Sequence, residues 1–201
     1  MAIKGLSIPV VGKYTESSGT VTYSDGVINP KAVSYAVNVE LNEAVKLYAD
    51  NEVAEESKKS FKQATVTLGT DDLSQDFSKT ILGLKEVTEG ESTSAITVSV
   101  YDDDVDPGFF GLGIIEEHQC SGVDKYRAVM LCKVKFDIPS EAANTRGENV
   151  SWQTKTLNAT AYRSGEVGTG SGAVKHPWKK EAWFATESAA LDWLKGHLGF
   201  T

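Results

Sequence analysis

The sequence predicts a mainly β protein: an antiparallel β-sandwich or barrel with a flanking α-helix and a short C-terminal helix. Three observations carry this. Five segments alternate apolar and polar residues at period two. Eighteen glycines in 201 residues call for many turns. Only two stretches show the apolar stripe of a helix, and both are short.

The alternating segments come first along the chain. Tyr35, Val37, Val39 and Leu41 share one face, with Asn38 and Glu40 on the other. Ala64, Val66 and Leu68 alternate with Thr65 and Thr67, and Ile96, Val98 and Val100 with Thr97 and Ser99. The longest run places Tyr126, Ala128, Met130, Cys132, Val134 and Phe136 on one side and Arg127, Lys133 and Lys135 on the other. Leu157, Ala159 and Ala161 close the series. Successive strand side chains point to opposite faces, so each run reads as a strand with one buried face. One-sided burial favours antiparallel sheets.

The first helix is expected from Leu73, capped by Asp72, with Leu73, Phe77, Ile81 and Leu84 as its stripe and Gly83 as its stop. The second is expected over 186–198, capped by Thr186 or Ser188, with Ala190, Leu191, Leu194 and Leu198 apolar and Gly199 at its end. Loops are expected at 15–30, 50–60, 101–111, 139–150 and 164–177. The chain reads as one domain over 1–201, with an N-terminal arm to about residue 30 and a flexible Gly-rich loop at 164–177.

Net charge is −8, unevenly spread. Residues 40–106 hold 16 acidic and 6 basic side chains, a local net of −10. Such a surface lacks the clustered Lys and Arg of a phosphate-binding face. The two cysteines, Cys120 and Cys132, have no zinc-ligand spacing, and Cys132 falls among apolar residues as a core thiol. The opening MAIKGLSIPVVGKY lacks the apolar core of a signal peptide, and no apolar run approaches the roughly 20 residues of a membrane span. The expectation is folding in a reducing cytoplasm without an anchor.

Catalytic chemistry finds no support. The three histidines, His118, His176 and His197, stand apart, with His118 expected on a loop, and no G-x-S-x-G elbow is present. GTGSGA at 168–173 has no following Lys-Ser/Thr and no helix to receive a phosphate. The acidic run Asp102, Asp103, Asp104, Asp106 lacks the spacing of a calcium loop. The sequons at Asn149 and Asn158 carry no weight without secretion. No catalytic, cofactor or metal residue is assigned.

Three blocks taken together resemble a known family. They are EAVKLYADNEVAEESKKSFKQATVTLGTDDL, with its Leu47-Tyr48-Ala49-Asp50 core and acidic loop; FSKTILGLK; and DKYRAVMLCKVKFDIPSEAANTRGENVSWQTKTLNATAYR, where Pro139 ends a long strand and a loop leads into Trp152. Their order and spacing over about residues 30–163 is similar to the major tail (tail-tube) proteins of long non-contractile-tailed bacteriophages. The resemblance implies a fold shared with type VI secretion tube proteins and a structural virion protein of the tail, assembled in the host bacterial cytoplasm. It further implies hexameric rings stacked into a tube. The partners would be further copies of the chain, the tape-measure protein, the tail terminator and the baseplate or tip proteins. DNA would pass through without specific binding.

A DNA conduit is served by a neutral or acidic lumen, because a lysine-lined one would trap the polyanion. On that view Glu40, Asp102, Asp103 and Asp104 are the candidate lumen-facing residues. Three alternatives stay open: a tube protein of a contractile tail or injection system, a carbohydrate-binding β-sandwich using Trp152, Trp178 and Trp183, and an enzyme with a metal at the Asp run.

Overall fold

The architecture is that of a computed structural model, which describes residues 2–29, 31–90, 95–141, 145 and 154–200. In chain order its elements are β1 (Ala2–Ser17), β2 (Thr20–Ile28), β3 (Ala32–Leu41), β4 (Lys46–Ala49), β5 (Glu52–Glu56), β6 (Phe61–Thr70), α1 (Gln75–Leu82), β7 (Lys85–Glu89), β8 (Ile96–Val100), β9 (Phe110–Cys120), β10 (Val123–Phe136), β11 (Lys155–Tyr162), β12 (Lys179–Phe184) and α2 (Glu187–His197). The main sheet runs β2-β1-β9-β10-β11-β6-β3, with β12 added to β10. All of its pairings are antiparallel. The mainly β, antiparallel expectation therefore holds. Most of the expected loop at 139–150, the Asn149 sequon and Trp152 lie outside the described residues.

The main core draws on strands from both ends of the sheet. Ala64, Val66 and Leu68 of β6 and Leu157, Ala159 and Ala161 of β11 form one cluster with Leu112 and Ile114 of β9 and Val129 and Leu131 of β10. Residues so distant in sheet order can meet only if the sheet curls over on itself. Phe77, Ile81 and Leu82 of α1 join the same cluster. A second cluster lies on the opposite face of β1, β9 and β10, where Val10, Ile115, Ala128 and Met130 pack under Ala190, Leu194 and Leu198 of the C-terminal segment. Gly12 lets that segment approach, since a Cβ there would run into the Leu198 carbonyl.

These two clusters correct the reading of the longest strand. It was expected to bury one face only. Leu131 stands opposite Leu112 but Val134 opposite Phe110, so β10 carries one extra residue between them. Such a bulge reverses which side later residues face. Val129 and Leu131 thus share the main core with Val134 and Phe136, while Ala128 and Met130 face α2. Cys132 is fully buried, as expected.

Three further expectations shift. The stretch read as an arm and a loop, up to residue 30, forms β1 and β2 of the main sheet. A register shift between Val11 and Lys13, and another between Ser7 and Val10, break the alternation that would mark it as strand. The first helix starts two residues later than expected. Ser74, not Asp72, is its N-cap, its Oγ accepting from the Phe77 N–H at 3.2 Å. The Asp72 carboxylate instead accepts from the adjacent Leu73 N–H at 2.8 Å, and its carbonyl accepts from Asn29 Nδ2 at 3.3 Å. Gly83 ends the helix at φ 65°, and Thr186 caps α2, both as read. The Gly-rich segment 164–177 is tied to the body: the Gly165 N–H donates to the Tyr14 hydroxyl at 2.9 Å and the Val167 N–H to the Gly19 carbonyl at 2.9 Å.

Candidate functional site

The four acidic candidates fall at two separate places. Glu40 lies near the end of β3, opposite Gln63, whose Nε2 donates to it at 3.0 Å; Lys62 pairs with it at 3.5 Å. Asp102 and Asp104 follow β8 and share one lysine, with Lys85 Nζ at 2.5 and 3.3 Å. That lysine holds the Asp102 carboxyl below the usual carboxylate range. Asp103 is exposed between them. Asp106 pairs with Lys135 at 2.9 Å. Two lysines thus offset half of the four carboxylates of the acidic run. Among the described residues no three His, Cys, Asp or Glu side chains are grouped to hold a metal ion.

A charged network that the sequence reading missed lies at one end of the curled sheet. On β9, Leu112 and Ile114 lie in the main core, and Glu116 and His118 continue the same alternation beyond it. His118 is therefore on a strand and buried, not on a loop. Register sets Arg127 of β10 opposite Glu116, and Trp183 of β12 opposite Arg127. Arg127 Nη1 donates to Glu116 Oε2 at 3.0 Å, its Nη2 bonds Glu181, and Lys179 reaches Glu181 at 2.8 Å. His118 Nε2 lies 3.1 Å from the same Glu116 oxygen, and its ring meets Trp183 edge-on at 4.8 Å. Donation by Lys179, then by Arg127, lowers the Glu181 carboxyl to about 2.

Above this network β3 leaves a cavity of about 280 Å³ lined by Tyr35, Val37, Val39, Glu116, Arg127 and Trp178, among others. Burial, and then the nearby Glu116 charge, pushes the Tyr35 phenol well above its ordinary value. Two cations face two carboxylates here, so the charges are spent on one another. The arrangement pairs charge with charge and leaves His118 Nδ1 and Arg127 Nε buried without a hydrogen-bond partner among the described residues. It fastens β9, β10 and β12 together where the apolar core ends. The legible signal was Glu116 and His118 continuing, at period two, the face of Phe110, Leu112 and Ile114.

The other unusual feature is a projecting arm. Strands β4 and β5 form a sheet of their own, and every residue in both is exposed. Its apolar side chains are included: Leu47 is 60% and Tyr48 64% exposed, and Tyr48 stands opposite Val53. The sequence reading took 50–60 as a loop, and Glu52–Glu56 is instead a strand. Strands β7 and β8 make a second separate hairpin, with Val87 and Ile96 exposed. Among the described residues, β2 has β1 as its one strand neighbour in the main sheet and β3 has β6, and the Gly26 N–H of β2 also donates to the Gly199 carbonyl at 3.4 Å. No helix among the described residues is long and apolar enough to cross a membrane. No protein-family model matches the chain, and no curated protein matches it.

Proposed function

We propose that the chain is a self-assembling structural subunit, the tail-tube protein of a long non-contractile bacteriophage tail, forming hexameric rings that stack into a tube for DNA delivery. The observation that carries this reading is the arm β4–β5. A two-stranded hairpin without a packed face is marginal in water, and this one presents Leu47, Tyr48 and Val53 to solvent. A partner surface would bury them. The strands at the two ends of the main sheet, β2 and β3, differ from one another, so joining them between copies is a head-to-tail contact. Head-to-tail contacts generate rings when the rotation closes and filaments when it does not. The resemblance of residues 30–163 to tail-tube proteins selects the ring-and-tube form among such assemblies.

In that tube Glu40, Asp102, Asp103 and Asp104 would face the lumen. Lys62 and Lys85 partner three of them, which makes such a wall closer to neutral than the sequence suggests. Either wall avoids binding DNA strongly. Negative-stain electron microscopy of the concentrated full chain tests the reading: rings or tubes of one diameter are expected. A protein that stays monomeric at every concentration it tolerates would overturn it. An assembled structure with all four acidic residues on the outer wall would overturn the lumen assignment alone.

A further inference from the structure

We infer that the β4–β5 arm of one copy docks on segment 163–180 of a neighbouring copy. This rests on the self-assembly reading above and names the surface that receives the arm.

The arm has an unmet need of two kinds. Its apolar side chains Val45, Leu47, Tyr48 and Val53 are exposed. It also carries Asp50, Glu52, Glu55 and Glu56 against the single cation Lys46. Among the described residues none of these five charges enters an ion pair, whereas Glu16, Glu40, Asp71, Glu86 and Asp102 elsewhere each have a lysine. The acceptor must therefore be both apolar and cationic.

Segment 163–180 has that composition. It holds Arg163, Lys175, Lys179 and Lys180 against one carboxylate, Glu166. Glu166 takes Lys180 at 2.7 Å, and Glu181, just beyond the segment, takes Lys179 at 2.8 Å. Arg163 and Lys175 are exposed and form no ion pair among the described residues, the Arg163 Nη2 donating to the Phe61 backbone carbonyl. Two apolar side chains, Val167 and Val174, are exposed beside them, 42% and 54%. A bridge between Val167 and Lys175 and the hydrogen bond from Gly165 to Tyr14 hold the segment in place. It is thus a preformed surface, which lowers the ordering cost of docking. Complementary charge supplies orientation and partner choice, and the apolar pairs supply burial.

A zero-length carbodiimide crosslink on an equal mixture of unlabelled and ¹⁵N-labelled full chain reads the contact directly. Mixed-isotope crosslinks joining Glu52, Glu55 or Glu56 to Lys175 are expected. Arm crosslinks between copies that run only to other lysines, such as Lys4 or Lys195, would overturn the inference. Charge reversal gives an independent arm of the test. Glu52→Lys with Glu55→Lys, and separately Arg163→Glu with Lys175→Glu, should each raise the concentration needed for assembly about tenfold. The quadruple variant should recover most of that loss, with circular dichroism showing that each variant is folded. Wild-type assembly with both reversals silent would remove this inference and leave the self-assembly reading standing. Failure of the wild type to assemble would remove both.

Discussion

Arg127 meets Glu116 across adjacent strands, Nη1 to Oε2 at 3.0 Å, on the same sheet face that buries Val129 and Ile114 one pair further along. The strand pair thus changes from hydrocarbon to ion pair without changing face. Breaking a buried pair by removing one partner leaves a desolvated charge. Arg127→Met should cost about 3 kcal/mol in urea unfolding. Adding Glu116→Gln should recover a large part of it, because the orphaned charge is removed. A double-variant loss equal to the sum of the two single-variant losses would show that the pair is not coupled.

The network also sets an acid limit. The Glu181 carboxyl lies at about 2 in the folded chain against an ordinary 4.5. A depressed folded value means that the stabilisation is present above 4.5 and lost as pH falls towards about 2. Thermal melts across that window should show a decline that Glu181→Gln makes shallower. The side chain is partly exposed, so added salt should also weaken the effect.

At Gly12 the backbone of β1 packs directly against the end of the C-terminal helix. A methyl group there meets the backbone carbonyl of Leu198 rather than a side chain that could swing aside. Gly12→Ala should destabilise the fold by about 2 kcal/mol and increase hydrogen exchange over residues 190–198. Unchanged exchange there would contradict the packing described.

The two thiols should separate cleanly. Burial raises the Cys132 thiol to about 12, while Cys120 is exposed at the end of β9. The thiolate is the reactive form. Iodoacetamide at neutral pH should label one cysteine in the native chain, at position 120, and two after denaturation.

The cap assignment gives a contrast between two neighbours. Ser74 Oγ accepts from the third helical residue, whereas the Asp72 carboxylate accepts from the next amide. Ser74→Ala should cost about 1 kcal/mol, and Asp72→Ala distinctly less. The reverse order would restore the cap that the sequence pattern first suggested.

What the sequence determined by itself is the local part of the fold. Alternation identified β3, β6, β8, β10 and β11 as strands, but the single buried face it implies is kept by β6 and β11, whereas Val39 and Leu41 of β3 and Ile96 of β8 are exposed. Capping and glycine placement located α2 closely and α1 to within two residues, since those signals act within one turn. Tertiary structure decided the rest. β1 escaped notice because its register shifts reverse the face partway along, and only the partner strands reveal the phase. The bulge in β10 likewise moved Val134 and Phe136 onto the face of Val129 and Leu131, and the C-terminal segment covers the other face, so that Ala128 and Met130 are buried as well. The Glu116–Arg127 contact joins residues eleven apart in sequence, which no motif spacing records, because it depends on strand register. The four acidic candidates were visible as charge, but their lysine partners were not. An acidic run in sequence becomes a bare acidic surface only if the fold leaves the cations elsewhere, and here it brought Lys85 and Lys135 to meet it.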